Sequence, residues 1–276
     1  MKPHALLEPY AQKHNGLFYF DSKHGAQTLL LVHGNGDEAD TWRHIFAPLA
    51  QHYRVIAPDL PGFGRSHTQT SSLAGFVTAL LELLDALKLE RVHLCGSSLG
   101  AVVAAMLAAQ APSRAISLCC IGGASPSLGG LSVTPAVQPL LELGLGEGYY
   151  NGLRDAGQDA AFATLKPYYA NLEALPASDL VFLRTRVWQR VQSDTQRDAF
   201  FAALRSLFMP AVPLELHLPT KLIWGEFDNI ISRVHALQIF EQVPHASLQI
   251  IANAGHLPHQ EQPAATLEAI RSLVWI

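Results

Sequence analysis

The chain has 276 residues, of which 49% are hydrophobic and 15% charged, with a formal net charge of −4. That length and apolar content suffice for one large core, and the small negative charge disfavours nucleic acid or an anionic membrane as the main partner. The three cysteines, Cys95, Cys119 and Cys120, lie in apolar stretches without metal-ligand spacing, so buried reduced thiols are expected and no disulfide framework.

Met1 to Gly16 is interrupted by Glu8, Gln12 and Lys13 and has no apolar h-region, so no signal peptide is read. No stretch is apolar long enough to span a bilayer, and the expectation is a cytoplasmic protein. Leu17–Phe20 reads as a short strand, and Ala26–Val32 as a second. The continuous apolar run Thr28–Val32 suits a central parallel strand buried on both faces. His33-Gly34-Asn35-Gly36-Asp37 then forms a loop, and an amphipathic helix is predicted over about 40–51. Arg54–Ala57 is the next strand. It runs into the turn-rich Pro58-Asp59-Leu60-Pro61-Gly62-Phe63-Gly64-Arg65-Ser66. Leu73–Leu87 has helical periodicity, with Leu80, Leu83, Leu84 and Leu87 on one face. The strand Arg91–Cys95 precedes Gly96-Ser97-Ser98-Leu99-Gly100 and the apolar helix Ala101–Ala111, which Pro112 ends. Ala115–Ile121 is a further buried strand.

Gly122–Pro135 is rich in Gly, Ser and Pro and reads as an exit linker. From there to about Phe208 the pattern is helical, clearest over 162–170, 179–191 and 195–208. Alternation resumes with strand Thr220–Trp224, helix Val234–Gln242, strand Ser247–Ile251 and a last helix from about Gln262. The predicted organisation is an α/β core, 1–123 and 215–276, with a mostly parallel sheet covered by helices on both faces. A helical cap, 124–214, is inserted into it.

Gly96-Ser97-Ser98-Leu99-Gly100 is a G-x-S-x-G elbow between a strand and a helix. Its glycines have a steric reason, because a side chain at either position would collide in so tight a turn. Ser98 at the tip is the candidate nucleophile. A serine nucleophile needs a base to take its proton and a third group to orient that base. Asp228 falls just past the strand ending in Trp224, and His256 just past the strand ending in Ile251. Sites in parallel sheets lie at the carboxyl ends of strands, so Ser98, Asp228 and His256 are expected at one edge.

His33-Gly34 with Trp42, the Pro58–Ser66 loop, the elbow, Gly225-Glu226-Phe227-Asp228 and Gly255-His256 occur in that order. Taken together, over essentially the full length, the chain resembles a cap-bearing member of the α/β-hydrolase superfamily. The resemblance implies a serine hydrolase that cleaves a small or medium, mainly apolar carboxylic ester through an acyl-enzyme on Ser98. It implies an oxyanion hole from the backbone N–H groups of Leu99 and Asn35. It implies no cofactor and no metal, and a small-molecule substrate as the partner. The sequence carries no signal for an oligomeric state.

Rival assignments are weaker. His259 is predicted nearer the last helix than His256. Glu226 competes with Asp228, but no acid follows the preceding strand in Ile121-Gly122-Gly123-Ala124-Ser125. Ser97 lacks glycines at both required offsets. His33, Asp59 and Arg65 are expected to scaffold loops, and Arg186 and Arg190, on one helix face, to form a solvated face rather than to meet an acidic carrier or carboxylate. Gly34-Asn35-Gly36 lacks the later glycine and lysine of a phosphate cradle, so nucleotide binding is discounted. Aspartate-nucleophile dehalogenases and epoxide hydrolases are disfavoured by Ser98. Carbon–carbon bond hydrolases and aminopeptidases of the same fold, and a non-turnover ligand sensor, remain alternatives. Asp37 and Leu257 stand where carbon–carbon bond hydrolases usually have proline and tryptophan, and Leu99 where aminopeptidases usually have tryptophan, so both branches are less favoured.

Overall fold

Apolar pentads such as Thr28–Val32 become strands because both faces of each are covered. The computed structural model describes residues 1–67, 71–123, 147–207, 215–243 and 245–274. Its strands are β1 (Ala11–His14), β2 (Leu17–Asp21), β3 (Thr28–Val32), β4 (Arg54–Pro58), β5 (Val92–Ser97), β6 (Ala115–Ile121), β7 (Thr220–Gly225) and β8 (Ala246–Ile251). They form one 8-stranded sheet in the order β1-β2-β4-β3-β5-β6-β7-β8. Neighbours from β4 to β8 run parallel, and β1 and β2 are antiparallel at one edge.

The helices are α1 (Phe46–Ala50), α2 (Leu73–Ala86), α3 (Leu99–Gln110), α4 (Glu147–Ala156), α5 (Gln158–Ala163), α6 (Ala177–Val191), α7 (Asp194–Leu207), α8 (Arg233–Gln242), α9 (Pro258–Glu261) and α10 (Pro263–Val274). Alternate strand residues serve opposite faces. Leu30, Val32, Leu94 and Cys120 pack with α2 and α3. Leu29, Leu31, Cys95 and Cys119 pack with Phe46 and Leu49 of α1 and with Ala269, Ile270 and Leu273 of α10. The cysteines are free and buried, as expected. Helix α3 is buried nearly all round, which its small apolar sequence permits.

Two elements differ from expectation. The helix predicted over 40–51 is a 3₁₀ turn at Ala39–Trp42 followed by the short α1. Pro48 has no N–H and would clash with the carbonyl four residues back, so a helix can carry it only in its first turn. Strand β1 was not predicted. It is joined to β2 through Asn15 and Gly16, both at positive φ, the Asn-Gly signature of a two-residue hairpin.

Between β6 and β7, residues 147–207 are helices and 3₁₀ turns, with no strand among them. The helix expected over 162–170 stops at Ala163, and Lys166–Tyr168 with Pro167 turns as a 3₁₀ segment. The expected boundaries of the insertion, 124 and 214, lie outside the described residues.

Candidate active site

The carboxyl ends of β3, β5, β7 and β8 deliver the candidate residues to one edge. The elbow follows from its glycines. A Cβ on Gly96 would lie 2.1 Å from the Gly100 carbonyl oxygen, and one on Gly100 would lie 2.0 Å from that of Val32. Between them Ser98 takes φ 53° and ψ −117°, a region that a non-glycine residue occupies only when its surroundings force it. Its N–H is held by the Ile121 carbonyl at 2.8 Å. Leu99 opens α3, so no intrahelical carbonyl can accept its N–H.

His256 is buried, and its Nδ1 lies 2.8 Å from Oδ2 of Asp228. The other oxygen of Asp228 accepts the N–H groups of Ile230 at 2.8 Å and Ile231 at 3.0 Å. A carboxylate can only accept, so Nδ1 of His256 carries a proton and Nε2 is left as the acceptor. Among the described residues nothing bonds to Nε2. The backbone N–H of His256 donates to the Tyr168 carbonyl at 2.9 Å, and the Tyr168 ring meets the imidazole edge-on at 5.8 Å.

Ser98, His256 and Asn35 line one cavity of about 360 Å³. Its remaining wall is mostly apolar and aromatic and comes largely from the helical residues 147–207, such as Tyr149, Tyr150, Val187 and Phe200. Asp228 sits behind His256, away from that surface.

The rivals are placed elsewhere. His259 stacks on Trp42 with centroids 4.5 Å apart and bonds Thr41 Oγ1 at 2.9 Å. Burial first, then the charge of Arg43, lowers its pKa to about 3. It is a neutral core residue. Glu226 accepts the Asn253 N–H at 3.1 Å, one loop away from His256. His33 accepts the Leu60 N–H on Nε2 at 2.8 Å, so Nδ1 donates to the Gly34 carbonyl, also at 2.8 Å. Asp59 accepts from Ala39 N–H, Arg65 N–H and the Arg65 guanidinium, at 2.7–2.8 Å. All three therefore scaffold loops.

One expectation is overturned. Arg186 and Arg190 do not form a solvated face: their side chains are 4% and 12% exposed. Both meet Glu38 at 3.2 Å, and Arg190 also reaches Asp37 at 2.8 Å. Burial raises the Glu38 pKa, but Arg190 and Arg186 outweigh it and hold the carboxyl at about 2. Asp179, Arg186 and Arg190 stand at i, i+7 and i+11, one face of α6. That spacing was the available signal, and its meaning depends on the charged side chains of residues 37–44 that it meets.

Glu261 was not singled out from the sequence. One oxygen accepts the Gly255 N–H at 2.6 Å, and the other accepts Ala170 N–H at 2.9 Å and Asn171 N–H at 3.2 Å. It staples the His256 loop to the segment at Ala170 and Asn171.

The alpha/beta hydrolase family profile matches residues 29–269. The chain belongs to the α/β-hydrolase family. It is 32% identical over 254 residues to a 2-hydroxy-6-oxononadienedioate/2-hydroxy-6-oxononatrienedioate hydrolase of Pseudomonas putida, covering 87% of this chain and 85% of that one. It is 26% identical over 251 residues to a pimeloyl-[acyl-carrier protein] methyl ester esterase of Aeromonas salmonicida, covering 89% and 94%. A serine hydrolase structure from the polyaromatic hydrocarbon-degrading bacterium Cycloclasticus zankles superposes with a TM-score of 0.79 at 20% identity, over 96% of both chains. As an α/β-hydrolase the chain has relatives that cleave both esters and carbon–carbon bonds. Among its described residues no helix is long and apolar enough to cross a membrane.

Proposed function

We propose that the protein is a serine hydrolase of neutral, mainly apolar carboxylic esters, with Ser98, His256 and Asp228 as its catalytic residues. One observation carries the reading. Asp228 occupies Nδ1 of His256, while the bare Nε2 belongs to a residue that shares an apolar cavity with Ser98.

Ser98 Oγ attacks the ester carbonyl carbon and gives its proton to His256 Nε2. The carbonyl oxygen becomes an anion, held by the N–H groups of Leu99 and Asn35. As the tetrahedral intermediate collapses, His256 returns the proton to the departing alcohol, leaving Ser98 acylated. Water then attacks the acyl group, with His256 again as base, and Ser98 is regenerated with release of the acid. Asp228 fixes the tautomer of His256 and stabilises its cation. The insertion acts as a lid that shapes the acyl pocket.

The cavity wall favours an ester over a dioate. A doubly charged substrate needs cations that are free to meet it. Arg190 is the one Lys or Arg on that wall among the described residues, and it is already bound to Asp37 and Glu38. Residues 124–146 and 208–214 contain no Lys, Arg or His. Carbon–carbon cleavage is the second reading, favoured by the Pseudomonas putida relative. Kinetics on p-nitrophenyl butyrate and on a 2-hydroxy-6-oxo-dienedioate separate the two. The ester is expected to lead in kcat/KM by about 100-fold or more. A lead for the dioate overturns the ester assignment.

A further inference from the structure

Among the described residues, the loop that carries Asn35 has few hydrogen bonds to its own core, such as the Thr41 N–H to the Glu38 carbonyl at 3.0 Å. Gly36 takes φ +70°, and inside the loop the Asp37 N–H reaches the Gly34 carbonyl at 3.3 Å. Beyond Gly34 the side-chain bonds leading out of residues 35–38 run to the insertion. Asn35 Nδ2 donates to the Phe200 carbonyl at 3.2 Å. Arg190 Nη2 donates to Asp37 Oδ1 at 2.8 Å, and Arg190 Nε donates to Glu38 Oε2 at 3.2 Å. Asp37 Oδ1 also accepts the Glu38 backbone N–H at 2.9 Å. The guanidinium thus bridges two consecutive carboxylates on a segment one residue beyond Gly36.

A guanidinium is a planar fork whose donors have fixed directions, unlike the single charge of lysine. Held by α6, such a fork sets where the loop backbone lies. Helix α6 is itself fixed further along the same face. There Asp179 accepts from Arg43 Nε and pairs with His44 Nε2, both at 2.8 Å. Arg186 bonds the Lys2 carbonyl and pairs with the second oxygen of Glu38.

We propose that Arg190 is a positioning residue for the oxyanion loop: through Asp37 and Glu38 it sets the place of the Asn35 N–H. This rests on the ester hydrolysis proposed above. The substrate-covering helix then does more than wall the pocket. It completes a donor on which the transition state depends, while the arginine itself touches no reacting atom. An arginine kept to bind a substrate carboxylate would behave differently, because a neutral ester would not feel its loss.

The test uses the full chain and neutral p-nitrophenyl butyrate. Arg190→Gln and Arg190→Lys are each expected to lower kcat by roughly 10²-fold, the worth of one oxyanion donor, with KM changed less than about 3-fold. Added guanidinium ion should restore part of the activity of Arg190→Gln and none to Arg190→Lys. If Arg190→Gln does not fold, Asp37→Asn removes one arm of the fork and should lower kcat by about 10-fold. Folded variants with unchanged kcat overturn the proposal, as does a change confined to KM. Amide hydrogen exchange of residues 34–38 reads the same point without substrate. Faster exchange in the variant than in the parent chain supports it, and equal exchange overturns it. Loss of ester turnover by the parent chain would count against the proposed function, and exchange would still decide the role of Arg190.

Discussion

Asp228 Oδ2 lies 2.8 Å from His256 Nδ1, while Oδ1 of the same carboxylate is held by the N–H groups of Ile230 and Ile231. The acid is thus locked in orientation before it meets the imidazole. An amide of the same shape could keep its oxygen on those two N–H groups and would then turn its NH₂ toward Nδ1. That would force the proton of His256 onto Nε2, the atom that accepts from Ser98 in the proposed mechanism. Asp228→Asn is expected to lower kcat by about 10⁴-fold, as the same exchange does in serine proteases. Glu226→Gln should change it only a few-fold. Steady-state kinetics of both variants, with melting temperatures, check this, and the reverse order would make Glu226 the orienting acid.

Glu261 gives a second expectation. Its carboxylate bonds Gly255 on one side and Ala170 and Asn171 on the other. Glu261→Ala releases the loop that carries His256, and a displacement of about 1 Å at a reacting group can cost on the order of 10²-fold in rate. The expected result is lower kcat with KM little changed, and partial recovery in Glu261→Gln, which keeps one accepting oxygen. An unchanged kcat would assign Glu261 to folding alone.

The alternation of strands and helices and the elbow were legible because local rules decide them, whereas the strand order and strand β1 were not. Short apolar runs rich in β-branched residues and bounded by turn signals suit central strands, and the crowding at Gly96 and Gly100 excludes any side chain. Ser98, Asp228 and His256 could be proposed together because each lies shortly past the carboxyl end of a strand, and the fold brings those ends to one edge. The environment of Arg186 and Arg190 was not legible. Their helix face looks hydrophilic by pattern, and only the fold brings Asp37, Glu38 and Asp40 against it. Glu261 was hidden for the same reason: its partners at residues 170 and 171 are backbone groups some ninety residues away in sequence, which carry no side-chain signature.

His259 sets a pH dependence of stability. Its folded pKa is about 3 against an ordinary 6.5, so the unfolded chain binds the extra proton between those values. Stability therefore falls as pH drops below 6.5 and is present in full above it. At pH 5 the loss from this group is about 2 kcal/mol relative to pH 7.5. Denaturant unfolding at the two pH values should show a difference smaller by about that amount in His259→Gln. Equal differences in the two proteins would mean that His259 is protonated in the fold.

The cavity predicts a chain-length optimum. Each buried methylene is worth about 0.8 kcal/mol until the space of about 360 Å³ is filled. Residues 124–214 bring no strong single-sign field, since they carry eight acids against seven bases. On p-nitrophenyl esters kcat/KM should rise from acetate to about butyrate or hexanoate and then fall. Tyr149→Ala should move the optimum to longer chains. A flat profile that this substitution leaves unchanged would mean that the insertion does not bound the acyl pocket.

The central claim is that Ser98 forms the acyl-enzyme. Reaction with a fluorophosphonate probe, followed by peptide mass spectrometry, tests it most directly. The account predicts one adduct per chain, on Ser98, absent from Ser98→Ala and lost in parallel with ester turnover. An adduct on Ser97, or turnover that survives in Ser98→Ala, would contradict it.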